Sequence, residues 1–237
     1  MAIETYNPYK ASNTIFTDGL DYIIANLPGS PTFDDLLTTI TAYFNSLPDP
    51  PGAEIIGLMP SMMANTVNDY VNSKIAENLN FGGNEWAIVD SVLSGIKGGS
   101  IESMEDFLEA ALQQVAEATI STPTKTTLYG AAGFAKASFS YWGSVVKTPG
   151  SWATYINTNE AINWANIPFW VEATYVGTFS GFAQVQAPNI PDANLFNVQG
   201  RMGGGTIAIS TALALTAGKV IFKWAQRPVI YANCNCH

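Results

Sequence analysis

Histidine is nearly missing from this sequence: one residue in 237, and it is the last, His237. A Ser-His-Asp triad needs an imidazole held beside its serine, and histidine-based zinc hydrolysis takes two or three. The commonest hydrolase designs are excluded on that ground. Charge is the second shortage. Asp, Glu, Lys and Arg make up 12% of the chain, about half the roughly 25% of an average soluble domain. Clustered Lys and Arg are what nucleic acid requires. Here the ten bases are scattered, with only Lys219, Lys223 and Arg227 near one another, so nucleic acid is not an expected partner. Also missing is a secretory leader: Met1-Ala2-Ile3-Glu4 has neither a basic start nor an apolar stretch behind it. Gly203 to Lys219 is the nearest thing to a membrane span, and it is too short and too rich in Thr and Gly to be a secure one.

What remains is a folded chain. Hydrophobic residues make up 47%, with 12 Phe, 10 Tyr and 6 Trp, a composition unlike that of disordered segments. The length suits one large domain or two small ones. Low charge with many aromatics fits three settings: a secreted or surface-attached protein, a subunit buried in an assembly, or a chain that meets lipid. The net charge of −9 is unevenly spread. Residues 1–120 hold 16 acids and 3 bases, whereas residues 121–237 hold 3 acids and 7 bases. Such asymmetry favours head-to-tail association or an anionic surface.

Periodicity predicts a mainly α protein. Residues 1–14 are polar and read as irregular. Ser30-Pro31 with Asp34 and Asp35 is a helix start, and Phe33, Leu36, Leu37, Ile40, Phe44 and Leu47 form one stripe. Pro60 opens a helix with Met63, Val67, Tyr70, Val71 and Leu79 inward. Asn84 is the expected cap of a short helix carrying Val89, Val92, Leu93 and Ile96. After Gly98-Gly99-Ser100, the stripe Met104, Leu108, Ala111, Leu112, Val115 marks another. Thr122-Pro123 starts a helix through Tyr129, Ala132, Ala135, Phe139 and Trp142. Residues 15–147 therefore read as a helical bundle, followed by a charge-poor apolar region over 148–237.

In that region Phe169–Ala187 and Gly203–Ala225 read as a Gly/Ala-rich helical pair; the alternative is an α+β protein with a C-terminal β region, since Thr206–Ile209 alternates like a strand. Gly177 and Gly181 form a G-x-x-x-G, and Gly204, Ala208 and Ala212 continue a small-residue ridge that suits close helix packing. Tyr141, Trp142, Trp152, Tyr155, Trp164, Phe169, Trp170 and Tyr175 make an aromatic concentration suited to a core, a ligand groove, an interface belt or a subunit contact.

Candidate chemistry is sparse. Cys234, Cys236 and His237 form a terminal set able to hold a soft metal, or the two cysteines form a disulfide or an interchain crosslink. C-x-x-C-H haem attachment is one residue short. Ser94-x-x-Lys97 and Ser144-x-x-Lys147 match S-x-x-K, but the S-D-N and K-T-G partners are missing. Gly203-Gly204-Gly205 has no P-loop lysine. Glu102, Glu105, Asp106 and Glu109 sit where solvation and a helix dipole explain them. No cofactor is expected.

Ala135-Lys136-Ala137-Ser138-Phe139-Ser140-Tyr141-Trp142, then Ser151-Trp152 and a small-residue-rich apolar tail, resembles secreted bacterial glycine-zipper, bacteriocin-like proteins. Glu172-Ala173-x-x-Val176-Gly177-x-x-Ser180-Gly181 fits the start of such a zipper. The resemblance covers about residues 122–217 and implies export with membrane contact or self-association, and no known activity. The sequence thus predicts a non-enzymatic, self-assembling structural protein, a homo-oligomer or polymer at or beyond the cell surface. A bacteriocin-like or pore-forming protein and a small-molecule binding protein are the alternatives.

Overall fold

The computed structural model describes residues 10–29, 33–47, 79, 81–148, 150–154 and 167–185. Among them are six α-helices, one 3-10 turn and no strand. Helix α1 is Lys10–Asn26. Its Phe16, Leu20, Ile23 and Ile24 are buried, as is Leu27 just beyond its end. These fall at i, i+4, i+7, i+8 and i+11, one amphipathic stripe. The helix thus starts inside the stretch expected to be irregular, because its first turn is polar and hides the period.

Helix α2, Phe33–Ser46, has Asp34 and Asp35 in its first turn, where the helix dipole favours acids. It buries Leu36, Ile40, Tyr43 and Phe44 and packs on α1, with the Tyr22 and Tyr43 rings 5.5 Å apart. Of the helix expected after Pro60, Leu79 is buried; Met63, Val67, Tyr70 and Val71 lie outside the described residues.

Helix α3, Gly83–Gly98, is capped by Gly82 and not by Asn84, which lies exposed in its first turn. Gly82 O accepts from Trp86 N. Glu85 is at N3, the position from which a capping-box carboxylate reaches back. Its Oε2 would stand 2.7 Å from a Cβ on residue 82, so a side chain there would meet the carboxylate. Gly99 N–H closes the helix on Gly95 O at 2.8 Å. Only Gly99 and Ser100 separate it from α4, Ile101–Glu117. In α4 the predicted stripe Met104, Leu108, Ala111, Leu112 and Val115 is buried, and Glu102, Glu105 and Asp106 are exposed.

Helix α5, Thr122–Lys147, has 26 residues and is about 39 Å long at 1.5 Å per residue. Ser121 caps it, its hydroxyl accepting from Thr124 N. From Thr127 to Val145 only Lys136, Ser140 and Ser144 escape burial. A helix apolar all round must be surrounded, and α1, α3, α4 and α6 all pack against this one. The 3-10 turn Gly150–Thr154 starts at a left-handed glycine, φ 52°, and returns Trp152 to the core.

Helix α6 is Ile167–Val185, so Phe169 to Val185 is helix and not strand. The segment Gly203–Ala225 lies outside the described residues. Helix α6 packs along α5 and against α3. Trp152, Ile167, Trp170, Val171, Tyr175 and Phe179 share one hydrophobic core with Phe16 and Phe134, so the core runs on past the boundary expected at residue 147. No helix among the described residues is long and apolar enough to cross a membrane.

Candidate functional site: the aromatic and hydroxyl core on α5

Tyr141 and Trp142 are consecutive on α5 and reach different neighbours. The Tyr141 hydroxyl donates to Asp21 Oδ1 on α1 at 2.9 Å. It also accepts from Trp152 Nε1, again at 2.9 Å. One phenol thereby ties α1, α5 and the 3-10 turn. Burial pushes the Tyr141 phenol well above its ordinary range; the Trp152 N–H opposes this and the Asp21 charge reinforces it. The phenol is therefore a lasting donor.

Trp142 faces two other tryptophans, Trp152 and Trp170. Its ring centroid is 5.0 Å from Trp152, 4.7 Å from Trp170 and 5.2 Å from Tyr141. Trp142 and Trp170 are wholly buried, yet neither indole N–H meets an acceptor among the described residues. Leaving a buried donor unmade costs about 1–3 kcal/mol. Along the same α5–α6 seam, the Thr174 hydroxyl lies 3.0 Å from Ser138 Oγ and 2.9 Å from the Trp170 carbonyl, and shares its proton between them. The Thr178 hydroxyl donates to Thr174 O at 2.7 Å. These hydroxyls are held in structural bonds.

Charged groups near the core are held by neighbours as well. Lys97 Nζ is 3.2 Å from Glu172 Oε1, joining α3 to α6. Lys136 pairs with Glu109, joining α5 to α4, and Lys125 Nζ donates to Ala116 O. Lys97 of the first S-x-x-K thus faces a carboxylate. In the second, the Ser144 hydroxyl donates to Tyr141 O at 2.7 Å. The Glu102 carboxyl, in the first turn of α4, is held below its usual range by its own backbone N–H and by the Ser100 hydroxyl.

Of the residues expected to pack or make contacts, Tyr141, Trp142, Trp152 and Trp170 are buried and meet in the core. Gly177 and Gly181 both lie within α6. Gly204, Ala208, Ala212, the Gly203–Gly205 run, Tyr155, Trp164, Cys234, Cys236 and His237 lie outside the described residues. Among the described residues no three His, Cys, Asp or Glu side chains gather as metal ligands.

Sequence reasoning missed Asp21, the Ser138–Thr174 pair and both ion pairs. A signal for the ion pairs did exist. Lys136 and Glu172 are isolated charges in apolar stretches, and such charges need partners. No family model, no curated protein and no solved structure matches the chain.

Proposed function

We propose that this chain is a non-enzymatic structural protein that works by self-association, as a homo-oligomer or polymer. The observation that carries the reading is charge placement. The bundle's surface is rich in acids, among them Asp18, Asp21, Asp34, Asp90, Glu102, Glu105, Asp106 and Glu117, all exposed. Its Lys97, Lys125 and Lys136 are engaged within the chain. Residues 186–237 carry the opposite balance, Arg201, Lys219, Lys223 and Arg227 against Asp192 alone. Complementary regions on one polypeptide favour head-to-tail contact between copies. The non-enzymatic part rests on the core hydroxyls, which are held in structural bonds, and on the lone histidine. Low overall charge fits a secreted or surface-attached setting for such an assembly.

Light scattering after size exclusion, across concentration and salt, tests this. The expected result is a species heavier than the 25.4 kDa chain that dissociates as salt shortens the Debye length to about 3 Å at 1 M. A monomer at every concentration in low salt refutes it.

The bacteriocin-like alternative draws its support from the G-x-x-x-G of α6. That helix carries the buried Trp170, Tyr175 and Phe179, so insertion into lipid requires it to leave the core. Dye leakage from anionic vesicles, reduced in Gly177→Leu or Gly181→Leu, would favour that reading; no leakage at any lipid composition removes it.

A further inference from the structure

Three features of the core converge on one side chain. The first is the ring stack, in which Trp170, Trp142 and Trp152 follow one another at centroid separations of 4.7 and 5.0 Å. Indole is among the most easily oxidised side chains, and rings this close exchange an electron readily. The second is the pair of buried indole N–H groups, on Trp142 and Trp170, that meet no acceptor among the described residues. An oxidised indole normally relaxes by losing its N–H proton. With no acceptor among the described residues, these two keep the proton and stay strongly oxidising. The third is Tyr141, 5.2 Å from Trp142. It is the one ring of the group whose acidic proton already points at a base, Asp21 Oδ1 at 2.9 Å. Asp21 is exposed, so a proton received there passes on to water.

We propose that Tyr141 is a redox-active tyrosine, the end point of an electron path through the tryptophan stack, with Asp21 as its proton acceptor. The initiating reagent is a diffusible one-electron oxidant of the radical class, which takes one electron by tunnelling from the protein surface to the buried Trp142 or Trp170 and is itself reduced. The indole radical cation then takes one electron from Tyr141 and returns to neutral indole. In the same step the Tyr141 O–H bond breaks and its proton forms an O–H bond on Asp21. The products are a neutral tyrosyl radical, a protonated Asp21 and a restored tryptophan, so electrons and protons balance. The Trp152 N–H, 2.9 Å from the phenolic oxygen, remains as a donor to that oxygen. The chemistry moves an oxidising equivalent from the indole stack to Tyr141 and a proton to Asp21, a carboxylate at the surface.

Flash photoionisation of the full-length chain tests the path. A cobalt(III) ammine in solution takes the ejected electron and becomes cobalt(II). In the wild-type chain the indole radical signal is expected to decay in step with growth of a tyrosyl signal by optical absorption and electron paramagnetic resonance. Tyr141→Phe is expected to remove that coupled phase. Asp21→Asn, which keeps an acceptor oxygen but not the base, is expected to slow it by on the order of 10²-fold, the contribution of a positioned general base, and Asp21→Glu to restore it. Far-UV circular dichroism confirms the helices in each variant. Failure of any tyrosyl signal to grow in the wild-type chain overturns the proposal without recourse to a variant. An unchanged coupled phase in Tyr141→Phe, or an unchanged rate in Asp21→Asn, overturns it equally.

Discussion

Gly95 lies in the last turn of α3, where glycine is a poorer residue than alanine by helix propensity. Replacing it with alanine stabilises an open helix by about 1 kcal/mol. Here the site is not open. A Cβ on residue 95 would stand 2.0 Å from Phe107 Cζ, 2.3 Å from Cε2 and 2.7 Å from Cε1, so the α4 ring rests on bare α3 backbone. The added methyl group must displace that ring. Forced repacking of this kind costs about 1–3 kcal/mol. Phe107 is only half-buried, so the ring has a way out toward solvent and the lower half of that range applies. The two effects nearly cancel in the wild-type background, and Gly95→Ala alone is expected to be neutral to mildly destabilising. The decisive number is the coupling. In a Phe107→Ala background the clash is gone, and Gly95→Ala should recover the full propensity gain of about 1 kcal/mol. Urea unfolding followed by circular dichroism, with the slope checked for constancy, yields the four stabilities of the cycle. An equal gain from Gly95→Ala in both backgrounds refutes the reasoning, since the ring would then not be resting on the glycine.

Three further outcomes are expected. Trp142→Phe removes an unpartnered donor and keeps an aromatic ring, whereas Trp152→Phe also breaks the bond to Tyr141; thermal melts should show Trp152→Phe the more costly by about 1 kcal/mol. Lys136→Ala should destabilise more than Lys97→Ala in urea titrations, because Lys97 is 54% exposed and pairs of that kind contribute about 0–1 kcal/mol, while Lys136 and Glu109 are both about three-quarters covered. At high pH, burial raises the phenols of Tyr43, Tyr141 and Tyr175 above their ordinary value. The folded state thus holds these protons more tightly. Its stability is complete below about pH 10, the unfolded phenol value, and declines above it. Tyrosinate absorbance should rise together with loss of helix; full ionisation of these three with the helices intact contradicts the burial.

The parts of this fold that could be read from sequence are those with one wet and one dry face. In α4 acids alternate with apolar residues at helical spacing, and the predicted stripe is the buried one. Helix α2 is legible for the same reason. Helix α5 is different: with nearly every face covered, its period carries little contrast, and its Thr122-Pro123 start marks it more clearly than the run from Tyr129 to Trp142. Helix α6 is rich in Val, Thr and aromatics, which suit strands as well as buried helices, so helix and strand competed until neighbours decided. Asp21 and Tyr141 are separated by 120 positions, and nothing local to either announces the other. The aromatic concentration was visible as composition, but composition does not say whether rings turn inward or toward a partner. Here Trp142, Trp152 and Trp170 turn inward.

The late position of the bundle's axis affects how the chain is made. Phe16 of α1 packs edge-on against Phe134 of α5, their centroids 5.9 Å apart, and the Asp21–Tyr141 bond spans the same divide. A ribosome adding about 5–20 residues per second needs on the order of 10 s to get from one partner to the other. Throughout that interval α1, α2, α3 and α4 emerge with inner faces that have only one another, pairwise, to close on. The nascent chain is then at its most adhesive, and a holding chaperone or slow translation before Thr122 would do most to raise its yield.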